Sequence, residues 1–244
     1  MYPSLDILGY KVFSGRLSDI DYNKKHLLNT FSPNSYGLTL GDKEFSTALK
    51  NTNVLVLDGM GIAIGAILLH GKNIKKIAGQ DCFDYFISKA NRNNWKVFFL
   101  GSTQTTLEKI FNRIRNEYPN VTVSGYSPPF KTTFSEEENT IMINKINSFD
   151  PHVLFIGMTA PKQEKWAYQN YNFVNAQIIS TIGNVFDWYA GNSKRPGKIW
   201  ITLRLEWLIR IFHRPEIFRR NTKNQLLFFR DLLLVLFKIK KIND

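Results

Sequence analysis

Five apolar runs punctuate the chain: NVLVLD (53–58), WKVFFLG (95–101), NVTVSG (120–125), HVLFIG (152–157) and AQIISTIG (176–183). Each is continuous rather than alternating, the pattern of parallel strands covered on both faces. Helical patterns lie between them. Residues 103–120 open on threonines, carry Leu107, Ile110, Phe111 and Ile114 at helical spacing, and stop at Pro119. Residues 135–150 begin with Ser135 as a candidate N-cap and place glutamates in the first turn, where the helix dipole favours them. Strands alternating with helices predict right-handed crossovers and an α/β fold, a Rossmann-like, mostly parallel sheet flanked by helices.

That rhythm ends near Lys194. The remainder reads as two or three helices, with Pro215 separating the first from the rest. A boundary at AGNSKRPG (190–197) gives an α/β core of residues 1–194 and a basic, amphipathic helical appendage of residues 195–244.

With 43% hydrophobic and 14% aromatic residues, the 244-residue chain can build a globular core. Cys82 is its only cysteine, which excludes an intrachain disulfide and a cysteine-built metal site and suits a reducing compartment. The opening MYPSLDILGYKVFSGRL lacks a basic segment leading into a sustained apolar one, so no secretory signal is expected. No apolar run reaches spanning length; LLFFRDLLLVLF (226–237) is short and is broken by Arg230 and Asp231. Net charge is +12, and residues 194–244 hold 13 Lys/Arg against 4 Asp/Glu, or +9. That asymmetry assigns an anionic partner to the C-terminal segment.

In an open parallel sheet, ligands bind beyond the carboxyl ends of the strands. The first such end reads DGMGIAIG. Asp58 before Gly59 can present a carboxylate to a closely approaching molecule; the same spacing also serves a tight turn with Asp58 as helix cap. The run G-x-G-x-x-x-G has some likeness to a dinucleotide fingerprint but lacks its spacing. FLGSTQTT can expose helix amides to a phosphate or make an ordinary N-cap. HVLFIG leads into MTAPKQEKW, where Lys162 can meet a phosphate and Gln163 can both donate and accept hydrogen bonds, with Trp166 and Tyr168 packing beneath. GNVFDWYAG brings Asp187 to the same rim. Several polar loops on one sheet edge suggest a pocket the size of a nucleotide sugar.

Asp19–Ile20–Asp21 spells a metal-holding D-x-D, but in a polar stretch it reads as a solvated turn. The four histidines show no ligand spacing, and no Walker loop or G-x-S-x-G elbow occurs. In the C-terminal segment, arginines alternate with Trp200, Trp207, Phe212 and Phe218, ahead of a heavily apolar stretch from Leu226 to Phe237. Nucleic acid does not need such an apolar surface, whereas lipid does, so an anionic membrane surface is expected and nucleic acid is not.

Taken together, SPNSY, LDGMGI, IAGQD, FLGS, VLFIGMTAPKQEKW, IGNVFDWYAGNSKRP and LEWLIRIFHRP followed by RR resemble the WecG/TagA/CpsF family of bacterial glycosyltransferases, from about Asn34 to Arg220. The resemblance implies inverting transfer of a sugar, such as N-acetylmannosamine or its uronic acid, from a UDP-sugar to a lipid-diphosphate-linked sugar. The work would be done peripherally on the cytoplasmic face of a bacterial membrane, in the synthesis of teichoic acid, common antigen or capsule. It implies neither cofactor nor catalytic metal. By the same resemblance Asp58 matches the general base, and Lys76 stands where relatives carry arginine in R-x-x-G-x-D. Ser32, Asn34, Gly59, Lys162, Gln163 and Asp187 fall on the donor side. Arg210 and Arg220 match arginines suited to the acceptor diphosphate, and Arg214 or Arg219 stands in for one missing from E-P-x-R. A homo-oligomer is compatible with this reading. The rival readings are a dinucleotide-dependent oxidoreductase, resting on the glycine run, and a non-catalytic membrane adapter, resting on the tail.

Overall fold

The computed structural model describes residues 2–193 and 215–240, with side chains of the last helix described from residue 221. Among them is one eight-stranded sheet. In chain order its strands are β1 (Ser4–Ile7), β2 (Tyr10–Phe13), β3 (His26–Phe31), β4 (Val54–Leu57), β5 (Lys96–Gly101), β6 (Thr122–Tyr126), β7 (Val153–Gly157) and β8 (Ile178–Thr181). In space they run β1-β2-β4-β3-β8-β7-β5-β6. Only β1 and β2 are antiparallel.

The five expected strands all form, four within their apolar runs and β6 ending at Tyr126, one residue past its run. The three amino-terminal strands were not legible in that way. β1 and β2 have four residues each and close through Leu8 and Gly9, at φ 52° and 84°, the left-handed pair that suits a two-residue hairpin turn. β3 is central, yet it carries Asn29 in its middle. Asn29 is fully buried and stays satisfied: its amide donates to Thr52 at 2.7 Å and its carbonyl accepts from Thr181 at 2.7 Å.

Side chains alternate between the sheet's faces. Leu28, Val56, Phe99 and Phe155 pack beneath α4 (Gly79–Asn93), α5 (Gln104–Glu117) and α8 (Val185–Tyr189). On the other face, Leu27, Leu154 and Ile156 meet α6 (Glu136–Phe149) and α7 (Lys162–Gln169). Phe31, Leu55 and Leu57 meet α1 (Pro33–Thr39), α2 (Lys43–Lys50) and α3 (Met60–His70). The expected caps are in place: Thr103 accepts from Thr106 N, and Ser135 forms a capping box with Glu138.

The last described helix, α9, runs from Pro215 to Leu236, and the helix expected ahead of Pro215 lies outside the described residues. Its apolar residues divide. Phe228 and Leu232 join the core beside α1 and α3, whereas Leu226, Leu233 and Phe237 are exposed. The heavy apolar stretch therefore serves two surfaces, only one of which faces outward. The D-x-D lies in a one-turn helix and the bend after it, where Asp19 accepts from Arg16 N and Asp21 from Asn23 N.

Candidate active site

β3 and β8 are neighbours, but the chain leaves them toward opposite faces, into α1 and α8. Divergent exits open a crevice at the carboxyl ends of the strands. Ser32, Asp58 and Lys76 lie on its β3–β4 side, and Gln163 approaches Gly183 at the end of β8.

Asp58 follows β4 directly, and its N–H donates to the Phe31 carbonyl at 2.8 Å, extending the ladder by one bond. Gly59 then turns the chain at φ 90°, which a side chain would resist, and α3 begins. The segment after α3 returns beside β4, where Ile77 N donates to the Leu57 carbonyl at 3.0 Å. That bond brings Lys76 to Asp58, with Nζ 3.9 Å from Oδ1. The two side chains are 31% and 41% exposed, so a carboxylate and an ammonium sit together within reach of a substrate.

Ser32 ends β3 and caps α1: its hydroxyl accepts from Ser35 N at 3.1 Å, and Pro33 takes the first helical position. Because β3 pairs with β4 as far as Phe31–Leu57, Ser32 lies beside Asp58. Asn34 follows on the first turn of α1, its carbonyl accepting from Asn224 of α9 at 3.0 Å.

The opposite lip is made by β7, β8 and the PKQE turn. Gln163 is buried; its carbonyl accepts from Met158 N at 3.3 Å and its amide donates to Glu164 at 2.8 Å. It therefore shapes the loop from inside, close to Gly183 at the end of β8. The Lys162 ammonium donates to the Lys131 carbonyl and sits 3.6 Å from the centre of the Phe134 ring, so meeting a phosphate requires exchanging those contacts. Asp187 lies on α8, its carboxylate accepting from Asn192 at 3.4 Å, and the same Asn192 amide donates to Thr106 of α5 at 2.8 Å.

Sequence reasoning passed over Glu164. It is 2% exposed, its Oε2 has no protein partner, and burial pushes its carboxyl up to about 7. Nor did it single out Tyr36 and Asp231. The Asp231 carboxylate, buried on α9, accepts from Tyr36 at 2.7 Å and pairs with Arg230 and Lys240. Burial opposes its charge, but the hydroxyl and the two cations hold its carboxyl below the usual range. An acid inside an apolar stretch was the available signal, because such a group is stable only when paired.

Of the acceptor-side arginines, Arg210 and Arg214 lie outside the described residues. Arg219 and Arg220 fall on the first turns of α9, whose side chains are not described there. Among the described residues no group of three His, Cys, Asp or Glu side chains could hold a metal ion. Two glycines of the supposed dinucleotide run, Gly61 and Gly65, are packing glycines, and Gly59 serves the turn. A Cβ on Gly61 would lie 2.4 Å from Pro33, and one on Gly65 would meet Ile7 and Phe228. A separate hollow of about 280 Å³ lies at the amino ends of β3 and β4, lined by Leu27, Asn53 and Tyr171 among others. It is at the wrong edge for the crevice chemistry, and its Asn53 already accepts from Leu27 N.

Residues 5–242 match the model of the Glycosyl transferase WecG/TagA/CpsF family. A Bacillus subtilis (strain 168) protein is 28% identical over 218 residues, covering 86% of this chain and 83% of the relative. One from Bacillus spizizenii is 24% identical and covers 82% and 76%; one from Staphylococcus aureus (strain NCTC 8325 / PS 47) is 25% identical and covers 74% and 69%. All three are named N-acetylglucosaminyldiphosphoundecaprenol N-acetyl-beta-D-mannosaminyltransferase. With the crevice motifs in place and the family model spanning nearly the whole chain, the protein belongs to the WecG/TagA/CpsF family and is a glycosyltransferase.

Proposed function

We propose that this enzyme transfers N-acetylmannosamine or a closely related sugar from its UDP donor to a sugar carried on polyprenyl diphosphate, with inversion. The observation that carries the reading is Asp58 paired with Lys76 at the rim of the β3–β8 crevice. The relatives' names supply the acceptor chemistry, a diphosphoundecaprenol-linked N-acetylglucosamine.

In this mechanism Asp58 takes the proton from the acceptor hydroxyl as that oxygen attacks the anomeric carbon. The bond to the donor's diphosphate breaks on the opposite side, and UDP leaves with the electron pair. Lys76 offers its ammonium to the developing diphosphate charge, as electrostatic stabilisation of a leaving group requires. Ser32, Asn34 and Gly59 border the donor on one lip, and Gln163, Lys162 and Asp187 on the other. Arg210, Arg214, Arg219 and Arg220 are assigned to the acceptor diphosphate, where a guanidinium fork binds most strongly. The enzyme works peripherally at the inner face of the bacterial plasma membrane, because its acceptor cannot leave the bilayer.

The test is UDP release from a panel of UDP-sugars, with and without polyprenyl-diphosphate N-acetylglucosamine, in EDTA. Acceptor-dependent release from one donor supports the reading. Failure to bind UDP at all, or turnover that EDTA abolishes and a divalent ion restores, contradicts it.

A further inference from the structure

α3 is apolar on every side. Gly61, Ile62, Gly65 and Ala66 face inward, and Ile64, Ile67 and Leu68, at spacings of three and four, are 37%, 47% and 49% exposed. Such a helix is otherwise expected in a protein interior or against lipid. Its neighbour α9 repeats the pattern: Phe228 and Leu232 approach Gly65 of α3, while Leu226, Leu233 and Phe237 are 64%, 52% and 72% exposed. Of the eleven exposed large hydrophobic residues among those described, seven lie on α3, on α9 or just after it. The two helices touch where Phe228, Phe229 and Leu232 meet Gly61 and Gly65, which puts an exposed apolar face on each of two packed helices. A joint apolar surface of this kind marks an interaction site.

We propose that the outer faces of α3 and α9 form one surface that lies in the interfacial layer of an anionic phospholipid bilayer, so that the catalytic core itself enters the membrane beside its C-terminal helix. The proposal deepens the reading above and rests on its membrane-borne acceptor. Charge selects the occupant. Lys72, Lys75, Lys223 and Lys238 are exposed on or beside these helices, and between residues 60 and 76 there is no acid. From 221 to 240 the sole acid is Asp231, buried and already paired. Anionic headgroups satisfy such a rim. A two-fold contact with a second copy would instead set these cations against one another with no carboxylate between them. At 1.5 Å per residue, Ile64 to Leu68 lie about 6–12 Å along α3 from its start beside Asp58. With α3 lying along the boundary between headgroups and acyl chains, that distance runs in the membrane plane and keeps the catalytic rim at headgroup level, where a lipid diphosphate resides.

Cys82 is 1% exposed, so an introduced cysteine would be the only accessible thiol among the described residues. Ile67→Cys, Phe237→Cys and, on another surface, Phe173→Cys would each be labelled with an environment-sensitive fluorophore and mixed with phosphatidylglycerol–phosphatidylcholine vesicles. The labels at 67 and 237 should shift to the blue and be quenched by chain-labelled lipid, and that at 173 should do neither. Separately, Ile67→Asp with Leu68→Asp should weaken vesicle partitioning about tenfold or more, with the melting temperature unchanged. A response at 237 with none at 67 would overturn the proposal, as only the tail would then enter. So would silence at both, or a lipid-independent shift accompanied by a dimer's mass. The readout uses neither donor nor acceptor, so a failed transferase assay and a failed insertion assay are separate results.

Discussion

Gly37→Ala tests how the C-terminal helix is seated. Gly37 lies mid-helix in α1, and a Cβ there would be 2.3 Å from Asn224 Cβ, 2.4 Å from its Cα and 2.7 Å from its carbonyl oxygen. Ordinary contact begins near 3.4 Å, and two of the three atoms are backbone, so α1 and α9 must part by about an ångström. Overpacking of this kind costs about 1–3 kcal/mol. An interior helical Gly→Ala change with nothing above it gains about 1 kcal/mol. The backbone clash places the cost in the upper half of its range, for a net loss of about 1–2 kcal/mol and a fall in Tm of roughly 3–6 °C. Thermal and urea unfolding measure it, with Gly41→Ala, which meets nothing within 4 Å, as the control. Because the Asn34–Asn224 bond crosses the same contact, transfer to the lipid-linked acceptor should fall as well. Stabilisation of Gly37→Ala by the amount expected of an open helix would refute the docking of α9 on α1.

Three further outcomes follow from the same geometry. Asp231→Ala should destabilise the fold by about 1–3 kcal/mol, since it strands the buried Tyr36 hydroxyl while the two partner cations, 58% and 29% exposed, stay solvated; urea midpoints check this, and no loss would show that the Tyr36–Asp231 contact is not buried in solution. Burial raises the folded Glu164 carboxyl to about 7, above its unfolded value, so the native state holds the extra proton and stability should decline as pH rises from about 4.5 to 7, then level off. Melting curves of Glu164→Gln across that window should be flatter, and equal slopes in both proteins would remove Glu164 as the source. Lys76→Ala should lower kcat about 10–100-fold, the worth of a charge-assisted contact to a diphosphate, with Lys76→Arg recovering most of it; an unaffected Lys76→Ala would leave the ammonium without a part in the chemistry.

The parallel half of the fold was legible because strands buried on both faces must be apolar throughout, as VLVL, KVFFLG and VLFIG are. β3 was not, because Asn29 and Thr30 interrupt it, and only the fold reveals that Thr52 and Thr181 satisfy Asn29. The Asp58–Lys76 pair is separated by 18 residues and became visible through a motif, since no periodicity links a strand end to a returning loop. The inward turn of Gln163 was hidden for a different reason. Its partners, Met158 N and Glu164, are local, but the same residues in another loop conformation would present the amide to solvent. The two roles of the C-terminal apolar stretch could not be divided before α1 and α3 were placed against it.

The central claim is that Asp58 removes the acceptor proton, and the direct test is kcat of Asp58→Asn for acceptor-dependent UDP release, alongside donor affinity by titration. Asparagine keeps the shape and loses the base, so kcat should fall about 10³-fold, with donor affinity and Tm close to those of the parent. Turnover within a few-fold of the parent would contradict the account, and the base would have to be sought elsewhere along the crevice.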